Sequence, residues 1–161
     1  MIVVADTSPL NYLILLGHTG VLANLYGRVA IPHAVREEML AAGAPSVVRA
    51  WAANLPEWVE LISAIRIDST LPLELGAGER EAISLAIELQ ADVVLIDDYP
   101  ARIAAEERGL PVTGCLTVLL RASRRGYLDF DGTLIQLKAL GFRISRQLEE
   151  RVRALADIKN S

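Results

Sequence analysis

Residues 91–100, ADVVLIDDYP, decide the fold. The run Val93–Ile96 is apolar without alternation, as expected of a strand buried on both faces of a parallel sheet. It ends in two acids, Asp97 and Asp98. Residues 2–10, IVVADTSPL, repeat the pattern: the apolar run Ile2–Ala5 ends at Asp6. Carboxylates at the carboxyl edge of a parallel sheet are poor core material and good ligands for a hard cation. That edge is also where open α/β sheets bind their ligands.

Outward from these runs, strand and helix signals alternate, which predicts a parallel sheet with helices on both faces. Strands are predicted at 2–5, 29–31, 58–62, 93–96 and 112–113, giving a three-layer α/β/α fold with about five strands. Helices are expected over 10–16, 21–25, from Pro32 to about Ala42, within 43–56, over 78–90 and over 100–108. Further helices start near Leu116, Gly132 and Ser145. Pro32 suits a helical first turn, and Gly109 suits a helix stop.

The chain has 161 residues, 52% hydrophobic and 22% charged, which suits one globular domain. Aromatics make up only 5%, so Leu, Ile, Val and Ala must build the core. No apolar stretch is long enough to cross a bilayer, and Asp6 interrupts any secretory leader. The single cysteine, Cys115, permits neither an internal disulfide nor a thiolate metal cage. A soluble cytoplasmic protein is expected.

Net charge is −4, which gives no general licence for nucleic-acid binding. The distribution is uneven. Residues 1–100 carry five Arg against thirteen acids, and residues 101–161 carry eleven Lys and Arg against seven acids. Arg121, Arg124, Arg125, Arg143, Arg146, Arg151 and Arg153 form the basic end. They read either as a phosphate-binding rim beside an acidic centre or as solvated helix faces.

Two helices carry acids on their apolar stripes. Ala82, Ile83, Ala86 and Gln90 lie within about 60° of Glu79 at roughly 100° per residue, with Arg80, Glu81, Ser84 and Glu88 on the other side. Glu79 thus heads the face that meets the sheet, although an acid in a first turn is also favoured by the helix dipole. Glu38 shares its stripe with Ala34, Val35, Ala41 and Ala42, while Glu37 sits on the flank. An inward Glu is costly to desolvate unless paired or metal-bound.

Asp6, Glu38, Glu79 and Asp98 therefore converge on one edge, with Asp97 competing for the fourth place. Two bare carboxylates about 4 Å apart repel by roughly 4 kcal/mol at a surface-like dielectric, so such a group takes up protons or a cation. An oxygen-only ligand set selects Mg²⁺ or Mn²⁺ over Zn²⁺. A metal so held can lower the pKa of a water and brace the departing oxygen of a phosphodiester.

Other acidic α/β folds fit less well. A phosphoacceptor receiver needs a lysine at the end of its last strand, and the only lysines are Lys138 and Lys159. A haloacid-dehalogenase phosphatase wants Asp at the second position after Asp6, where Ser8 stands. No glycine-rich loop ends in Gly-Lys, which excludes a P-loop enzyme. The segment GAGERE lacks the dinucleotide spacing. A degenerate nuclease fold that only binds RNA or a protein partner stays open.

The motifs together resemble the PIN-domain ribonucleases, especially the VapC-like toxins. DTSPLNYLILLG resembles the first family motif, IPHAVREEM the second, and GAGEREAISLAIELQADVVLIDDYPAR the third region. The likeness spans residues 1–128, a nuclease domain, with 129–161 as a helical extension packed on it. It implies a PIN-like fold and metal-dependent cleavage of single-stranded RNA, with catalysis by Asp6, Glu38, Glu79 and Asp98. It implies Mg²⁺ or Mn²⁺ ligated by Asp6, Glu38, Glu79 and Asp98, with Asp97 competing for the last place and Glu38 acting through water. Ile96 stands where the toxins carry a hydroxyl, so both registers stay open. Ser8 matches the family's small hydroxyl near the metal, or it caps the next helix. Arg102 orients a carboxylate, meets a phosphate or faces solvent. The resemblance also implies a homodimer and a small antitoxin over the acidic groove.

Overall fold

The protein is described by a computed structural model covering residues 1–158; residues 159–161, with Lys159 and the end of the expected C-terminal extension, lie outside the described residues. The strands are β1 (Val3–Ala5), β2 (Val29–Ile31), β3 (Val59–Leu61), β4 (Val93–Leu95) and β5 (Val112–Thr113). The helices are α1 (Thr7–Leu16), α2 (Gly20–Tyr26), α3 (His33–Leu40), α4 (Ser46–Ala53) and α5 (Ala77–Leu89). After them come α6 (Tyr99–Glu107), α7 (Cys115–Arg124), α8 (Phe130–Ala139) and α9 (Arg146–Ala156).

All strands pair in parallel, in the order β3-β2-β1-β4-β5. Alternate residues feed two cores. Val3, Ala5, Val29, Ile31, Val93 and Leu95 face α1–α4 and α7–α9, with Leu10, Leu13, Leu134, Leu137 and Val152 in the same cluster. Val4, Ala30, Val94 and Ile96 face α5 and α6, against Ile83, Leu85 and Ala104. The result is the expected α/β/α sandwich. Both faces of β1, β2 and β4 are dry, which is why their sequences show no polar alternation.

Local sequence sets where α1 starts and stops. Pro9 falls in its first turn, where a missing N–H leaves no helical bond unmade. Gly17 ends it at φ 75°, with the Gly17 amide donating to Ile14 and the His18 amide to Leu13. Leu10 and Leu13 are fully buried, and each contributes roughly 1.5–3 kcal/mol on leaving water.

The strand order defines the site. The chain lays β2 and β3 on one side of β1, then crosses to lay β4 on the other. The reversal opens a crevice between the carboxyl ends of β1 and β4, the place where doubly wound sheets take their ligands. Ala5 is in register with Leu95, and the Asp6 amide donates to the Leu95 carbonyl at 2.9 Å. Asp6 is thus level with Ile96, and Asp97 lies one residue further along the neighbouring strand's exit.

Helix α1 starts at Thr7 rather than Leu10 and α8 at Phe130 rather than Gly132, and two further departures from the sequence expectation concern α3 and α5. Helix α3 stops at Leu40 rather than near Ala42, because Ala41 turns extended toward Pro45. The face of α5 opposite Glu79 is buried as well: Glu81 and Ser84 are buried residues. Helical periodicity shows which face meets the sheet, but not that a loop returns over the opposite face. Here residues 62–71 do so, held by side chains of α5. Glu81 accepts from the Ala34 and Ala64 amides at 2.8 and 3.1 Å. Glu88 accepts from the Ile65 and Arg66 amides, and Ser84 from the Asp68 amide.

Candidate active site

Asp6 follows β1 directly and is only 1% exposed. It stands at the N-cap of α1 without a side-chain capping bond. Its Oδ1 is buried and has no hydrogen-bond partner. Burial pushes its pKa up to about 7; the Thr7 amide opposes this, and the charges of Glu79, Glu38 and Asp97 add to it. Near neutral pH such a carboxyl holds a proton or a cation.

Asp97 stands two residues beyond β4, near enough that its charge is felt at Asp6. The Cys115 amide, at the first residue of α7, donates to Oδ1 at 2.8 Å. Oδ2 is buried and unpartnered. Burial raises the pKa to about 6, against the Cys115 amide and the Arg102 charge. Arg102 Nη1 donates to the Ile96 carbonyl at 3.3 Å. A Cβ on Gly114 would lie 2.7 Å from that nitrogen and 2.8 Å from Asp97 Oδ1. Gly114 is therefore small so that Asp97 and Arg102 can both press on the backbone entering α7.

Glu38 is fixed on both oxygens. The Thr7 hydroxyl donates to Oε2 at 2.5 Å and the Gly78 amide to Oε1 at 2.8 Å. These bonds tie α3 to the first turns of α1 and α5. Glu79 reaches back to the Gly76 amide at 3.3 Å, closing its own helix start as a capping-box glutamate does. Its pKa is raised by burial first, then by the charges of Asp98 and Glu38. Asp98 is exposed at the N-cap of α6, and its charge is felt at Glu79.

Beside the acids opens a cavity of about 340 Å³, lined by Ser8, Tyr12, Asp97, Asp98, Gly141, Phe142 and Arg143. Ser8 is the second residue of α1 rather than its cap, and it faces this cavity with the acid pair. Arg102 lies half-buried behind Asp97.

Asp6 feels the charges of Glu79, Glu38 and Asp97, and Glu79 those of Asp98 and Glu38, so the five acids share one neighbourhood at this sheet edge; of them Asp97 and Asp98 line the cavity with Ser8. Sequence reading did not find Thr7, Gly78, Gly114, Cys115 or the 141–143 loop. Thr7 was adjacent to Asp6 in the motif. The others act through backbone amides or through lack of a side chain, and neither leaves a mark on hydropathy.

Among the described residues, no three His, Cys, Asp or Glu side chains come together as a group that could hold a metal ion. The fit to a divalent cation rests instead on two of the three orphaned buried oxygens, Asp6 Oδ1 and Asp97 Oδ2, the third being Asn11 Oδ1. Mg²⁺ keeps several waters and is usually bound through one or two carboxylates. Two buried, unpartnered carboxylate oxygens just beyond neighbouring strands suit that ion better than a closed cage would.

A family model described as a PIN domain matches residues 2–157, nearly the whole chain. The chain belongs to the PIN-domain family. Among solved structures it is similar to a PilT N-terminus domain protein, SSO1118, from the hyperthermophilic archaeon Sulfolobus solfataricus P2. The TM-score is 0.54 at 20% identity, covering 76% of this chain and 93% of that one, a likeness of fold. No curated protein sequence matches.

Proposed function

We propose that the chain is a Mg²⁺- or Mn²⁺-dependent endoribonuclease of the VapC toxin type, hydrolysing phosphodiester bonds of single-stranded RNA. The single observation that carries this reading is the pair of buried, unpartnered oxygens, Asp6 Oδ1 and Asp97 Oδ2, at the switch point of a PIN-family sheet.

Asp6 and Asp97 would hold the ion, and Glu79 and Asp98 would add negative charge around it. A divalent ion bound there supplies a water of lowered pKa and neutralises charge on the phosphodiester. Glu38, pinned by Thr7 and Gly78, fixes the separation of α1 and α5 and adds negative potential at Asp6. Arg102 restrains Asp97 through its charge. Ser8 offers a hydroxyl to a phosphate oxygen at the cavity wall. The products are a 5′-phosphate and a 3′-hydroxyl. A homodimer, an antitoxin covering the groove and a cytoplasmic location belong to the same reading. Among the described residues no helix is long and apolar enough to cross a membrane.

A second reading, a PIN module that binds RNA or a protein partner without cutting, draws on the absence, among the described residues, of any three His, Cys, Asp or Glu side chains grouped to hold a metal ion. One assay separates the two. Purified protein with Mn²⁺ shortens a single-stranded RNA that EDTA protects if it is an enzyme. RNA that shifts on a gel but stays intact identifies a binder.

A further inference from the structure

The loop between α8 and α9, residues 141–145, closes one wall of the cavity that the acid pair opens onto. Phe142 packs edge-on against Tyr12 of α1, with ring centroids 5.2 Å apart at 81°. That contact joins the loop to the helix that starts at Asp6. The next residue, Arg143, is exposed and lines the cavity with Ser8, Asp97 and Asp98.

The basic C-terminal segment is otherwise largely engaged. Arg153 pairs with Glu149 and Asp131, Arg146 with Glu150, and Lys138 with Glu149. Arg121 donates to the Tyr26 hydroxyl and Arg124 to the Ile158 carbonyl. Arg143 has no hydrogen-bond or ion-pair partner among the described residues, although two carboxylates share its cavity. An exposed guanidinium on the lining of this cavity, with no partner among the described residues, can donate side by side to two oxygens of a phosphate. The Tyr12 hydroxyl, on the same cavity lining, adds a donor. Aromatic side chains beside a phosphate-binding cation are the usual elements of single-strand recognition. About 340 Å³ lies at the small end of ligand pockets, roughly 300–1,000 Å³.

We propose that Tyr12, Phe142 and Arg143 form a subsite for the nucleotide adjoining the scissile phosphate of a single-stranded RNA, with Arg143 gripping the neighbouring phosphate and the ring pair walling the base. The proposal rests on the ribonuclease reading for its substrate class, and its test does not need cleavage. Ser8 and the acid pair face the scissile phosphate, and the 141–143 loop sets the strand's path away from it.

The test is fluorescence anisotropy of a labelled oligouridylate decamer with the full chain in EDTA, over a range of salt. Arg143→Ala is expected to weaken binding roughly tenfold and to reduce the salt slope by about one phosphate contact. Arg143→Lys is expected to keep the slope and most of the affinity. A decamer carrying 4-thiouridine, irradiated on the wild-type protein, is expected to cross-link to Tyr12 or Phe142. Arg143→Ala binding with unchanged affinity and slope overturns the subsite, as do cross-links confined to other surfaces. Wild-type protein that binds through Arg143 and never cuts with Mn²⁺ supports the subsite and removes only the nuclease.

Discussion

The Gly78 amide donates to Glu38 Oε1 at 2.8 Å, so close that a Cβ on Gly78 would stand 2.5 Å from Oε2. The bond sets the N-terminus of α5 against the second acidic motif, and only glycine permits the approach.

Gly78→Ala therefore forces Glu38 off this contact and off the Thr7 hydroxyl. Overpacking of this kind costs about 1–3 kcal/mol, read as a lower denaturant midpoint with an unchanged slope. Mn²⁺ affinity is expected to fall as well, because the acid wall beside Asp6 moves. Wild-type stability in Gly78→Ala contradicts the close packing described.

Asp6 gives a pH signature with a definite sign. Its pKa is about 7 in the folded protein against 3.8 for the free side chain, so the folded state holds the proton that the unfolded state has released. Asp97, raised to about 6, acts the same way. Metal-free stability is greatest near pH 4 from these two groups and is lost as pH rises through 7. Asp6→Asn removes its share. The variant is expected to be more stable than wild type by on the order of 2–4 kcal/mol at pH 8, and equal to it near pH 4. Urea titrations in EDTA at both pH values check this; a destabilised variant at pH 8 contradicts it.

Gly114→Ala sets a methyl against both Arg102 and Asp97. Asp97 must swing from the Cys115 amide or Arg102 from the Ile96 carbonyl. Calorimetric titration is expected to show Mn²⁺ affinity falling by about tenfold or more, as when the partners that orient a ligand are lost. An unchanged dissociation constant separates Asp97 from the ion.

Glu81 serves structure, not chemistry. Glu81→Gln keeps one acceptor for the two amides of Ala34 and Ala64 and leaves the other facing a donor. The expected cost is about 1–3 kcal/mol, with faster amide exchange in residues 62–68. RNA cleavage at a permissive temperature is expected to stay within twofold of wild type.

The sheet was legible because apolar runs such as Val93–Ile96 admit one reading, and Asp6 and the acid pair Asp97–Asp98 stood out because they end such runs. Glu38 and Glu79 followed from helical periodicity. The choice between Asp97 and Asp98 was not legible, since adjacent residues after a strand differ only in which way the chain turns. The Cys115 amide and the missing Cβ of Gly114 turn Asp97 inward here, and both come from a segment seventeen residues or more downstream. The second coat on α5 was hidden for a similar reason: loop 62–71 has no periodicity of its own. Of the basic C-terminal residues, sequence could not tell Arg153, spent on Glu149 and Asp131, from Arg143 at the cavity.

Anomalous diffraction from a crystal soaked in Mn²⁺ shows whether Asp6 and Asp97 share an ion. The expected peak lies bonded to Asp6 Oδ1 and Asp97 Oδ2, with Glu79 and Asp98 meeting it through water. A crevice without a peak, closed by Arg102 turned onto Asp97 Oδ2, contradicts the shared site.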